Sequence, residues 1–155
     1  MVQDQLKILI SDRIERESMI TPFLNFHGHC EEAVRYYQTI FGFEEPRFLK
    51  FKMAPNRGFE VSSELDDKVM FTSFVISNTQ IMACDHYPGL ESVSGQSMSL
   101  NIIHDNKDEL FKWYDQLVED GQNGMSPQET AWAPFYASCI DKYNIVWQFS
   151  YNDRK

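Results

Sequence analysis

Chemistry needs side chains that bind metals, exchange protons or attack carbon, so the histidines, cysteines and carboxylates are read first. His27-Gly28-His29-Cys30 has donor-rich spacing, and on an extended segment His27 and His29 would share one face, a start towards a metal site. The same segment falls where a strand gives way to a helix, and polar side chains there cap the helix or stand in solvent. Asp85-His86, at a strand end, has the composition of an acid–base pair or of an exposed loop pair. His104-Asp105-Asn106 precedes a second helix, where Asn106 or Asp105 is expected to act as the cap. Cys84 and Cys139 sit on apolar strands and read as packed thiols rather than nucleophiles. The sequence holds no Gly-x-Ser-x-Gly elbow, no Gly-x-Gly-x-x-Gly turn and no Gly-Lys-Ser/Thr phosphate loop. It therefore assigns no catalytic residue.

The elements that would position these groups follow from hydrophobic periodicity. Cys30, Ala33, Val34, Tyr37, Ile40 and Phe41 form one helical stripe closed by Gly42; Leu110, Trp113, Tyr114, Leu117 and Val118 form another closed by Gly121. Extended segments are expected at residues 19–26, 47–53, 69–77, 80–85, 97–103, 128–131, 135–140 and 145–151, with Asn144 at the tight position of the last hairpin. The order is strand–helix–strand–strand–strand, and then it starts again. Leu24-Asn25 corresponds to Leu100-Asn101, Glu32 to Glu109, Tyr36-Tyr37 to Trp113-Tyr114 and Gly42 to Gly121. The expectation is an α+β chain of two βαβββ modules, about 19–85 and 97–151, forming a concave mixed sheet within a single domain of residues 19–151. Residues 1–18, with Leu6, Leu9, Ile10 and Ile14 at helical spacing, read as a helical extension.

Composition narrows the function classes. The chain has 155 residues and a formal net charge of −9, which opposes a phosphate backbone and argues against nucleic-acid binding. It has no apolar run long enough to span a membrane and no secretory leader pattern. Three widely spaced cysteines, with no Cys-x-x-Cys pair, suit reduced thiols, and the chain is expected to be cytoplasmic.

Specific wording then adds a resemblance. Residues 20–26 (Ile-Thr-Pro-Phe-Leu-Asn-Phe), residues 30–37 (Cys-Glu-Glu-Ala-Val-Arg-Tyr-Tyr) with Phe41-Gly42, residues 81–85, Trp132 and residues 141–147 resemble the PhnB-like, demethylubiquinone-methyltransferase-like branch of the vicinal-oxygen-chelate superfamily. That superfamily includes glyoxalase I, bleomycin-resistance proteins and extradiol dioxygenases. The resemblance implies a glyoxalase-like fold and a homodimer. It also implies metal positions at the first strand of each module and on its last strand, which here hold Thr21, Ser97 and Gln148, with the remaining position near Met82. Two hydroxyls, an amide and a thioether do not match the donor sets of Zn²⁺, Fe²⁺, Mg²⁺ or Mn²⁺, so no metal and no other cofactor is expected. The chain departs from the branch's pattern at Ala133 and Asn144, where glycine is usual.

What remains is the inside of the sheet. Alternation puts Phe23 and Asn25 on the face of Thr21, and Ser99 and Asn101 on the face of Ser97, with Gln148 turned the same way. Phe23, Trp132 and Trp147 are the expected apolar walls, with Asn25 and Gln148 orienting the ligand. An apolar cavity with a few amides and hydroxyls suits a small organic ligand. The alternatives are a metal-dependent lyase, isomerase or dioxygenase, or a structural dimer whose cup is filled. The resemblance to a methyltransferase branch lends no support to methyl transfer, because no glycine-rich turn suited to adenosylmethionine-like cofactors is present.

Overall fold

In the computed structural model, residues 19–153 are described; the expected helix within residues 1–18 lies outside them. The chain divides into two compact units, one ending at Ser92 and the other beginning at Val93. Among the described residues, each is a four-stranded mixed sheet with one α-helix.

In the first module β1 (Phe23–Asn25) leads into α1 (Cys30–Phe41), followed by β2 (Leu49–Lys50), β3 (Val69–Ile76) and β4 (Thr79–Cys84). The sheet order is β1-β4-β3-β2, with β1 parallel to β4 and the other pairs antiparallel. The second module repeats this with β5 (Ser99–His104), α2 (Lys107–Glu119), β6 (Gln122–Gln128), β7 (Tyr136–Ile140) and β8 (Val146–Tyr151), in the order β5-β8-β7-β6. The α+β class and the duplicated element order are as the periodicity predicts.

Each core lies between helix and sheet. From α1 the stripe Cys30, Ala33, Val34, Tyr37 and Ile40 is buried, with the Tyr37 and Phe74 rings 6.3 Å apart. From α2, Leu110, Tyr114 and Leu117 are buried, with Tyr114 edge-on to Phe149 at 6.2 Å. A helix of 12 or 13 residues is marginal alone in water, so burial of these stripes stabilises both.

The two glycines expected to close the helices do so for different reasons. Gly42 takes φ 72° and its N–H bonds the Gln38 carbonyl, a left-handed cap. Gly121 does not have positive φ; a Cβ there would lie 2.1 Å from the Ile140 carbonyl oxygen, so close approach of two backbones excludes a side chain. Asn144 does adopt φ 66°, and Ser77 and Asn78 (φ 49° and 65°) make the two-residue turn between β3 and β4.

Two strand expectations are corrected. Instead of an extended segment over 47–53, only Leu49–Lys50 pairs, because Phe51–Met53 coils into a 3₁₀ turn that buries Phe51 completely. The strand expected at 128–131 is β6, Gln122–Gln128. Its sequence has no apolar alternation; it is an exposed edge strand held by irregular pairing to β7.

Candidate functional site

The sheet of the second module has two unlike faces. Toward α2 it presents Ile102, Ala137, Cys139, Trp147 and Phe149, all buried. On the other face the register sets Asn101, Gln148 and Ser138 in one row across β5, β8 and β7. Ser99, Tyr136 and Ser150 share that face, since side chains two apart on a strand point the same way.

These side chains are joined to one another. The Tyr136 hydroxyl donates to Gln148 Oε1 at 2.6 Å, and Gln148 Nε2 donates to Ser99 Oγ at 2.7 Å. Ser150 Oγ donates to Asn101 Oδ1 at 3.0 Å, and the Met125 backbone N–H donates to Ser138 Oγ at 2.8 Å. Trp132, 65% exposed, stands edge-on to the Tyr136 ring at 5.2 Å. Residues fixed by mutual hydrogen bonds lose little further freedom when a ligand arrives, which favours binding. Tyr136, Ser138 and Ser150 are the members that the sequence reading missed. Their signal was available: each sits at the right parity on β7 or β8.

Of the expected site residues, Ser99, Asn101, Gln148 and Trp132 therefore come together. Trp147 does not. As the neighbour of Gln148 it points to the opposite face, where it is 1% exposed, and its indole N–H donates to Asp141 Oδ2 at 2.8 Å. It is a core residue rather than a pocket wall.

In the first module Phe23 is 41% exposed and packs on Phe71 and Tyr87, with ring centroids 6.0 and 5.7 Å away. The Tyr87 hydroxyl also donates to the Phe23 carbonyl. Asn25 is engaged at both ends: Oδ1 accepts from the His27 N–H at 2.9 Å, and Nδ2 donates to Ser92 Oγ at 2.6 Å. It shapes the turn that carries His27 and Gly28 at positive φ.

The other chemistry-bearing residues have structural tasks. Asp85 is 5% exposed, which overturns the exposed-loop reading. Its Oδ1 accepts from the Gly28 and Cys30 N–H groups and its Oδ2 from Val69 N–H, all at 2.8 Å. It thereby caps α1 from a distant strand, while His29 at the cap position makes no capping bond and stands in solvent. Asp141 likewise accepts from Tyr143 N–H, Ile145 N–H and the Trp147 indole. Asn106 caps α2 through the N–H groups of Asp108 and Glu109, as expected. Burial pushes the Cys84 and Cys139 thiols up to about 12, and raises Cys30 still further with help from the Asp85 charge. These are unreactive thiols.

The donors at the superfamily's metal positions do not suit a metal. Met82 is a buried thioether paired with Phe23, and the Gln148 amide oxygen already accepts from Tyr136. Among the described residues no cluster of three His, Cys, Asp or Glu side chains is placed to hold an ion.

Comparison with known proteins agrees with this architecture. The profile of the 3-demethylubiquinone-9 3-methyltransferase family matches residues 18–150. Protein YjdN of Escherichia coli K12 is 27% identical over 139 residues, covering 84% of this chain and 93% of its own. Among solved structures, protein PA1353 of Pseudomonas aeruginosa superposes with a TM-score of 0.75 at 24% identity, covering 89% of this chain and all of that one. The PhnB protein of Bacillus cereus gives 0.66 at 22% identity, covering 87% of this chain and all of its own. A glyoxalase/bleomycin resistance protein/dioxygenase family enzyme of Burkholderia phytofirmans gives 0.54 at 15% identity, covering 85% and 94%. The chain belongs to the 3-demethylubiquinone-9 3-methyltransferase family, and it shares its fold with the PhnB protein and with the glyoxalase/bleomycin resistance protein/dioxygenase family enzyme.

Proposed function

We propose that this protein binds a small organic molecule on the sheet face built around Gln148, without a resident metal. The observation that carries this reading is the connected array Tyr136–Gln148–Ser99, flanked by Asn101 and the exposed Trp132. A few oriented polar groups beside an aromatic surface are the usual makings of a small-molecule site. Methyl transfer is not part of the proposal. The turn from β1 to α1 carries one glycine, Gly28, and the turn from β5 to α2 carries none, so neither has the Gly-x-Gly-x-x-Gly pattern of dinucleotide-type cofactor sites.

The test is a ligand-observed saturation-transfer screen of neutral fragments against the wild-type protein and Gln148→Leu. Fragments that bind the wild type should lose several-fold in affinity with the variant, since removing one amide costs about 0.5–1.5 kcal/mol per hydrogen bond. Fragments that bind both proteins equally would remove Gln148 from the site.

The chain is also proposed to work as a cytoplasmic homodimer. The β6 edge is exposed along nearly its whole length, and an uncovered edge invites pairing. Light scattering should give twice the 18.2 kDa chain mass; a single-chain mass at micromolar concentration would refute it.

A further inference from the structure

A quarter of this chain is charged, 24% of its residues, yet β5, β6, β7 and β8 contain no Asp, Glu, Lys or Arg. A sheet face kept only for solvent ordinarily carries charges, which hold water and discourage pairing with other chains. The face around Gln148 instead carries amides and hydroxyls, two of them, Ser99 and Asn101, exposed, together with the exposed Ile103.

Its hydrogen bonding is only partly used. Gln148 Nε2 gives one hydrogen to Ser99 and keeps another, while Ser99 Oγ accepts and so keeps its own hydrogen. Asn101 accepts from Ser150 through Oδ1, and no described group accepts from its Nδ2. Ser138 accepts from Met125 and keeps its hydroxyl hydrogen. Turning the Gln148 amide over moves the free hydroxyl hydrogen from Ser99 to Tyr136 and leaves the surplus unchanged. Covering this face leaves those hydrogens without water. Buried N–H groups are rarely left unpaired, whereas the second lone pair of an oxygen that already accepts tolerates it better. The occupant must therefore bring acceptors. It must also be uncharged, because the strands offer no counter-ion to a buried charge. The exposed Trp132 ring beside Tyr136 adds a flat apolar surface.

We infer that the face around Gln148 selects flat, neutral molecules bearing carbonyl-type acceptors, over charged molecules and over hydrocarbons of the same shape. This rests on the site proposed above and names its ligand class.

Three bicyclic probes of one shape separate the possibilities: 1-indanone, with a carbonyl; indane, with no polar group; and 1-aminoindane, a cation at neutral pH. Binding is followed by the ¹⁵N side-chain amide signals of Gln148 and Asn101 and the indole signal of Trp132. The expected result is that 1-indanone shifts these signals and binds at least several-fold more tightly than indane, with 1-aminoindane weakest. The double variant Ser99→Ala, Asn101→Leu, at two exposed positions, should keep its fold and narrow the preference for 1-indanone over indane without abolishing it, because the Gln148 and Ser138 donors remain; an unchanged preference would overturn the part given to Ser99 and Asn101. Indane or 1-aminoindane equalling 1-indanone on the wild type, with these same signals shifted, would overturn the ligand class and leave the site standing. If no probe moves these signals, both the class and the site reading fall.

Discussion

Asp85 offers the sharpest test of how the first module is held together. Its carboxylate is buried and accepts three backbone N–H groups at 2.8 Å: two from the turn that opens α1 and one from the first residue of β3. Asp85→Ala removes both acceptor oxygens and with them all three bonds, while the residue's own N–H can still donate to the Val69 carbonyl. A hydrogen bond to a charged group contributes about 1.5–3 kcal/mol. The three are not additive, since they share one carboxylate and water can reach a loosened helix start. Breaking a buried charged interaction costs about 3–5 kcal/mol, and we expect a loss in that range. At about 2–4 °C per kcal/mol for a chain of this size, the melting temperature should fall by roughly 6–20 °C. Asp85→Asn should fall between the two: Oδ1 still serves Gly28 and Cys30, but an N–H₂ now meets the Val69 N–H. Thermal unfolding followed by circular dichroism reads all three proteins. A drop below about 3 °C for Asp85→Ala would refute the claim that this carboxylate ties α1 to β3.

Other expectations follow from single features. Gly121→Ala should cost about 1–3 kcal/mol through backbone collision, and Gly42→Ala about 1–2 kcal/mol through its left-handed φ alone; denaturant melts showing Gly121→Ala to be neutral would sink the close-approach argument. The three thiols should resist a thiol-specific disulfide reagent at pH 8 in the folded protein and react when it unfolds. Folded Cys84 and Cys139 keep their protons to about 12, while unfolded thiols ionise near 9.0, so the unfolded state binds fewer protons above that pH. Stability should therefore be unaffected by these groups below pH 9 and decline as pH rises from 9 towards 12; Cys84→Ala should flatten that decline in denaturant titrations. A chelator should leave the melting temperature unmoved, because a structural metal contributes on the order of 10 kcal/mol to folding; a large drop would direct attention to His27, His29 and His86.

What the sequence made legible was whatever periodicity encodes. Both helices show their buried stripe in the spacing of residues such as Val34 and Tyr37 or Leu110 and Leu117, and the duplication shows in Leu24-Asn25 against Leu100-Asn101. β6 was misplaced because an edge strand need not alternate; Gln122–Gln128 pairs through its backbone, and its partner β7 carries the apolar pattern. Asp85 and Asp141 both lie among the residues that carry the resemblance; Asp141 serves only neighbours within six residues, as an aspartate in a tight loop does, whereas the task of Asp85 is invisible locally. Asp85 serves amides on another strand and on a helix start far along the chain, which only the fold brings near. For the candidate site, parity on β5 and β8 was enough to group Ser99, Asn101 and Gln148. Parity also excludes Trp147 beside Gln148, a consequence the sequence reading did not apply. Tyr136 was missed because an aromatic on a strand reads as core, and its ring is indeed buried; only its hydroxyl reaches Gln148.

The most direct test of the central claim is a crystal structure of the protein soaked with the tightest neutral carbonyl fragment. The account places the fragment's acceptor about 2.7–3.2 Å from Gln148 Nε2, Ser99 Oγ or Asn101 Nδ2, with its ring against Trp132. Density for the fragment elsewhere, with the Gln148 face empty at full soaking concentration, would contradict it.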